Sequence, residues 1–179
     1  MTAPTGGGIG GPRLPVDTLS ALQRRLADAG RRVELPTAAD TEAFGRRLAE
    51  MLRPGDVVVL RGPLGAGKTV VAKGIGVGLG VGDPVTSPTF VIARVHPDGR
   101  IPLVHVDAYR LGGAAEVDDL DLDVDVDDSV TVVEWGEGVA EQLADEWLLV
   151  DLERRDDDVR VLTLEPHGAS WTDRVGRLT

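Results

Sequence analysis

The stretch GPLGAGKT at positions 62–69 constrains this chain more than any other. It fits G-x-x-x-x-G-K-[ST] without a mismatch, the pattern of a loop whose main-chain amides wrap phosphate. Gly62, Gly65 and Gly67 let the main chain turn its N–H groups towards one point without Cβ clashes. A helix beginning at Lys68 adds its positive end. Lys68 is a point charge able to reach β- and γ-phosphates, and the Thr69 hydroxyl is an oxygen ligand for Mg²⁺. The context agrees, because the apolar strand candidate DVVVLRG runs straight into the loop. An incidental glycine turn would leave that strand–loop–helix order unexplained. The expected nucleotide-binding segment is therefore Gly62, Pro63, Leu64, Gly65, Ala66, Gly67, Lys68 and Thr69, with Val70 following.

A magnesium nucleotide needs a second carboxylate, usually at the end of a neighbouring strand. Two apolar runs end in acids: LVHVDAYR near Asp107 and VTVVEWGE near Glu134. Each acid should emerge at a strand's carboxyl end, where open α/β sheets bind ligands. The residues themselves leave open which of the two holds metal and which orients water, and either could merely cap a strand in solvent.

The rest of the chain supports that frame. RRVELP, TFVIARV, IPLVHVDAY, SVTVVEW, WLLVDLE and VRVLTLE join DVVVLRG as strand candidates. Short unalternating apolar runs suit the middle of a covered parallel sheet. His96-Pro97-Asp98-Gly99 and the stretch 154–158 predict hairpins at the sides. TAADTEAFGRRLAEML opens with Thr37 and Asp40 at capping-box spacing and places Phe44, Leu48 and Met51 on one face. TVVAKGIGVGLGVG carries glycines at 74, 76, 78 and 80, each costing a helix about 1 kcal/mol against alanine. A helix there must be packed tightly to repay this. About seven strands and four helices predict an α/β fold with antiparallel edges. Residues 1–32 read as an N-terminal extension, Gly/Pro-rich and partly disordered, with a short helix over VDTLSALQRRLADAG. Residues 33–166 read as the nucleotide-binding domain and 167–179 as a tail.

Other chemistries fail on composition. The 179 residues contain no cysteine, so disulfides, thiolate catalysis and cysteine zinc sites are out. The formal charge of −11 argues against broad contact with nucleic acid. No apolar run approaches the roughly 18 residues of a membrane span, and the first residues lack the order of a signal peptide. A cytoplasmic location is expected. Asp123, Asp125, Asp127 and Glu134 fall at the first, third, fifth and twelfth places of a calcium loop. The sixth place is Asp128, where that loop needs glycine, and strand rather than helix follows. GIGVGLG follows no strand and lacks the dinucleotide-site order. The three histidines show no metal-ligand spacing. His105 alternates with Val104 and Val106, which predicts the opposite strand face from theirs and a structural role.

No asparagine occurs anywhere, so the guanine-reading N-K-x-D signature is unavailable and adenine nucleotides are favoured. Together, GPLGAGKT, TSPTF at 86–90, HVDAYRL at 105–111 and VVEWGE at 132–137 resemble, in order and spacing, the bacterial TsaE (YjeE) family. The resemblance covers about Val33 to Glu165. It implies a P-loop NTPase fold with a central parallel sheet, antiparallel edge strands and flanking helices. It further implies a Mg-dependent ATPase of the machinery that makes N6-threonylcarbamoyladenosine on tRNA. ATP or ADP and Mg²⁺ would be its ligands and TsaD and TsaB its protein partners, with tRNA touched only indirectly.

By the same resemblance, Lys68 and Thr69 hold phosphates and magnesium, and Glu134 is the second magnesium carboxylate with Trp135 beside it. Asp107 orients the attacking water or the outer metal shell. Thr86, Ser87 and Thr89 lie in a segment resembling a γ-phosphate switch, and Thr37 lies where the family's N-terminal segment nears the base. The chain departs from the family at Pro63, which replaces a usual acid, and at Gly136, which replaces a common proline. No arginine stands out as a finger in cis, which predicts slow turnover alone and faster turnover with partners. The rival readings are a kinase for a small alcohol or nucleoside and a nucleotide-dependent binding module without meaningful turnover.

Overall fold

A computed structural model describes residues 31–88, 93–110, 126–136, 138 and 140–177. The helix expected over 16–30 and much of the acidic run that resembles a calcium loop, including Asp123 and Asp125, lie outside these residues.

The seven strand candidates all form strands, in one sheet. They are β1 (Arg32–Leu35), β2 (Val57–Arg61), β3 (Ala93–His96), β4 (Leu103–Asp107), β5 (Val130–Glu134), β6 (Trp147–Arg154) and β7 (Arg160–His167). The spatial order is β1-β7-β6-β2-β5-β4-β3. The pairs β6–β2, β2–β5 and β5–β4 are parallel, while β1–β7, β7–β6 and β3–β4 are antiparallel. The strands that read as continuous apolar runs, β2 and β5, fill the centre, because both their faces are covered. The two hairpin strands flank them on either side. The loop 62–69 leaves β2 between β5 and β6, at the carboxyl ends of the parallel strands.

The helices among the described residues are α1 (Ala38–Met51), α2 (Lys68–Leu79), α3 (Ala140–Leu143) and α4 (Ala169–Val175). Side chains from α1, α2 and α4 share one core with Leu60, Val132, Leu148, Val150 and Leu164 of the sheet. Ala140 and Leu143 of α3 belong to the smaller cluster on the other face, with Val57, Val59, Val106 and Val133. The expected capping box forms: Asp40 N–H donates to Thr37 Oγ1 at 3.1 Å and Thr37 N–H to Asp40 Oδ2 at 2.9 Å. None of the described helices is long and apolar enough to cross a membrane.

The glycines of α2 are explained by its contact with α1. A Cβ at Gly74 would lie 2.2 Å from the Glu42 carbonyl oxygen, and one at Gly45 would lie 2.4 Å from that of Val71. The helices touch backbone to backbone, so no side-chain rotation can relieve an added methyl. Gly74→Ala is expected to destabilise by about 2 kcal/mol or more, since this overlap outweighs the gain of about 1 kcal/mol in helix propensity. For a chain of this size that means a melting temperature lower by roughly 4–8 °C, measured by thermal circular dichroism. A variant melting at or above the parent would show that the two helices can part without cost.

Residues after 166, set apart on sequence as a tail, carry α4, which is built into the core. Trp171 is buried among the apolar side chains. The Arg174 guanidinium sits 3.7 Å above its ring and donates to Asp56 at 2.5 and 2.9 Å. Asp56 Oδ2 also accepts from Arg53 N–H at 2.8 Å, so the buried carboxylate is well partnered. One apolar residue, one cation and a remote acid give a seven-residue helix a fixed seat that helical periodicity alone does not reveal.

Candidate active site

The loop between β2 and α2 is shaped by backbone positions that exclude side chains. Gly67, at the N-cap of α2, has φ 109°, a conformation that L side chains rarely adopt. A Cβ at Gly62 would meet the Leu152 carbonyl oxygen at 2.4 Å. The loop is thereby pressed against β6, and Ala66 N–H donates to Pro63 O at 3.1 Å. Ala66 is fully buried and anchors the loop in the core, whereas Leu64 is 93% exposed at its tip. The α2 helix starts at Lys68, as the sequence predicts, and its first amides face the loop's hollow.

A cleft of about 660 Å³ opens there. The volume falls within the range of about 300–1,000 Å³ typical of small-molecule sites. Its floor is the loop, with Leu64, Gly65, Gly67, Lys68, Thr69 and Val70. Its walls include Asp107, Glu134 and Trp135. The two acids come together because β4 and β5 pair in parallel with Asp107 opposite Glu134. Both therefore leave the sheet at the same level, beside the start of α2.

The polar geometry is specific. Thr69 Oγ1 lies 3.0 Å from Glu134 Oε1 and 3.2 Å from Oε2. Lys68 Nζ donates to Gly62 O at 2.8 Å and Pro63 O at 3.0 Å, and sits 3.9 Å from the Trp135 ring centroid. Burial holds the Lys68 ammonium below the ordinary lysine range, and the charges of Glu134 and Asp107 partly offset this. Trp135 has φ 62°, unusual for a residue with a large side chain. Its N–H donates to Leu60 O at 3.2 Å, and its ring meets Tyr109 at 5.4 Å between centroids. Asp107 is half-buried and its Oδ1 accepts from Tyr109 N–H at 3.1 Å.

This donor set fits a magnesium nucleotide. Mg²⁺ prefers hard oxygen ligands and takes one or two from protein, leaving the rest to phosphate and water. Thr69 Oγ1 and the Glu134 carboxylate are adjacent hard oxygens at the mouth of a loop that exposes backbone amides. Among the described residues no group of three or more His, Cys, Asp and Glu side chains could form an all-protein metal cage.

Not every expected residue reaches the cleft. Thr37 spends its side chain on the α1 cap and is not among the cleft residues; a Cβ at Gly67 would lie 3.6 Å from Thr41 Cγ2, one turn further on. Ser87 lines the cleft, while Thr86 Oγ1 accepts from Arg94 at 2.9 Å. Thr89 lies outside the described residues. Gly136 is hemmed in, since a Cβ there would meet Val133 Cγ1 at 2.6 Å.

Two residues join the site unannounced. Arg160, the first residue of β7, lines the cleft from the side of Gly67. Its Nη1 donates to Asp158 O at 3.0 Å, and it forms no ion pair among the described residues. The sequence offers a signal for it only through the β6–β7 register, which pairs Arg160 with Arg154. His105 does face away from Val104 and Val106, but it lies against Glu134, with Nε2 2.9 Å from Oε1.

Comparison with known proteins agrees with this architecture. The family model described as "Threonylcarbamoyl adenosine biosynthesis protein TsaE" matches residues 35–162. A tRNA threonylcarbamoyladenosine biosynthesis protein TsaE from Streptomyces coelicolor is 58% identical over 136 residues, covering 72% of this chain and 91% of the relative. The protein of that name from Bacillus subtilis is 42% identical over 130 residues, covering 72% and 81%. The crystal structure of YdiB from Bacillus subtilis superposes with a TM-score of 0.69 at 33% identity, covering 82% of this chain and 92% of YdiB. With its glycine loop and its paired strand-end acids falling inside the residues that the family model matches, the chain belongs to the TsaE family of tRNA threonylcarbamoyladenosine biosynthesis proteins.

Proposed function

We propose that this chain binds and hydrolyses ATP with Mg²⁺, as the cytoplasmic ATPase component of the threonylcarbamoyladenosine machinery, acting with TsaD and TsaB. The observation that carries the reading is the contact of Thr69 Oγ1 with both Glu134 oxygens, at the N-terminus of α2 and beside Lys68. Phosphoryl transfer asks a protein mainly for positioning and for neutralisation of charge. The loop amides and the α2 terminus cradle the polyphosphate. Lys68 sits at the loop's mouth and exchanges its bonds with the Gly62 and Pro63 carbonyls for phosphate oxygens. Thr69 and Glu134 would hold Mg²⁺, which would supply positive charge to offset the charge that develops on the phosphate during transfer. Asp107, one strand away, accepts a hydrogen bond from the attacking water and aims it. Trp135 and Tyr109 line one wall of the cleft.

The acidic chain, at −11, suits a protein that touches protein partners and leaves tRNA to them. The test is phosphate release from Mg-ATP by the purified chain, alone and with TsaD and TsaB. Slow release alone and faster release with both partners is expected. A small molecule phosphorylated without partners would favour a kinase instead. No release under either condition would leave only nucleotide binding.

A further inference from the structure

We propose that His105 is the positioning residue for Glu134, holding its carboxylate in the orientation that a bound magnesium nucleotide requires. This rests on the reading of the cleft as a Mg-nucleotide site.

His105 lies in the middle of β4 and has no solvent exposure. Its Nε2 is 2.9 Å from Glu134 Oε1, the oxygen that Thr69 Oγ1 also approaches at 3.0 Å. Glu134 is itself only 4% exposed. The carboxylate is therefore gripped from the sheet by an imidazole and from the helix by a hydroxyl. The other ring nitrogen, Nδ1, is buried without a hydrogen-bond partner among the described residues.

That arrangement is costly as packing alone. An imidazole buried with one polar atom unpaired is disfavoured relative to an aliphatic side chain of similar size. Leu103, two residues earlier on the same face of β4, is such a side chain and is also fully buried. The contact that offsets the cost is the one to Glu134. Since a carboxylate oxygen accepts, Nε2 carries the proton in this contact, and in a neutral imidazole Nδ1 then holds a lone pair. A glutamate side chain has several rotatable bonds, while Mg²⁺ demands near-ideal octahedral geometry. Fixing one carboxylate oxygen from behind removes freedom that metal binding would otherwise have to remove. Partners of this kind change metal affinity by about 10–100-fold when lost.

The experiment titrates Mg²⁺ against ADP binding by calorimetry, with a parallel ADP titration in EDTA. His105→Leu is expected to raise the Mg²⁺ concentration at half-saturation by about 10–100-fold, with metal-free ADP affinity within about twofold of the parent. His105→Gln places an amide N–H at the reach of Nε2 and should restore the parent value to within about threefold. His105→Asn is one methylene shorter, falls short of Glu134 and should behave as the leucine variant does. If the leucine variant does not fold, the Gln and Asn pair decides, because both are neutral and polar and differ in reach.

Equal Mg²⁺ requirements for the parent and the asparagine variant would overturn the assignment. So would equal losses of ADP affinity with and without metal, the signature of a purely structural role. A parent whose ADP affinity ignores Mg²⁺ would overturn the site reading itself, and this assignment with it.

Discussion

Replacing Lys68 with alanine is expected to lower ATP hydrolysis by at least about 10²–10³-fold, in the range seen when one preorganised charge-stabilising donor is removed. The argument is geometric. Lys68 is held at the loop's mouth by the carbonyls of Gly62 and Pro63, at 2.8 and 3.0 Å, and by the Trp135 ring. Its ammonium is thus held at the loop before a phosphate arrives, where it can exchange those carbonyls for phosphate oxygens without being recruited from solvent. Burial already disfavours its charge, so an anionic phosphate would relieve the penalty that desolvation imposes. Arginine is not expected to rescue, because a planar guanidinium cannot occupy the place of a compact point charge between two carbonyls. Phosphate release in the presence of TsaD and TsaB reads the effect, and a melting curve excludes unfolding. Hydrolysis within about threefold of the parent would show that charge at this position does not carry the reaction.

The loop was legible in the sequence because its chemistry is local. Three glycines, a lysine and a threonine at fixed spacing suffice to name the turn between β2 and α2. The central strands were legible for a different reason, since strands covered on both faces lose polar alternation. The hairpins followed from turn residues at 96–99 and 154–158. What escaped were contacts set by register. Arg160 reaches the cleft only once β7 is paired with β6 and β1, and no local pattern distinguishes it from the other arginines of that hairpin. His105 and Glu134 are 29 positions apart, and only the β4–β5 register brings them to 2.9 Å. Alternation correctly placed its ring on the face opposite Val104 and Val106, but said nothing of the strand beside it. The seat of α4 was hidden in the same way, because Arg174 and Asp56 are 118 positions apart. Thr37 shows the converse: its capping-box signal was local and is satisfied locally, with its hydroxyl bonded to Asp40.

The two strand-end acids should separate on magnesium. Glu134→Gln is expected to lower hydrolysis by about 10²-fold or more and to raise the Mg²⁺ requirement, because it removes the charged oxygens that face Thr69. Asp107→Asn is expected to lower the maximal rate by about 10²-fold while leaving the Mg²⁺ requirement near the parent value. The distinction comes from what each carboxylate touches. Both oxygens of Glu134 lie within 3.2 Å of the Thr69 hydroxyl, and the side chain is buried. Asp107 is held at one oxygen by the Tyr109 amide and is half-buried at the cleft wall, where its second oxygen has no partner among the described residues. Both substitutions keep side-chain volume, so the sheet's packing should survive them. Magnesium titrations of hydrolysis at saturating ATP, with partners present, read both quantities at once. A shifted requirement in the aspartate variant together with an unshifted one in the glutamate variant would exchange the two roles. Parent-like hydrolysis by both would remove the acids from the reaction and leave the cleft as a binding site alone. The pairing of Asp107 with Glu134 across β4 and β5 makes the comparison a fair one, since both carboxylates start from the same level of the same sheet and differ in what each one grips.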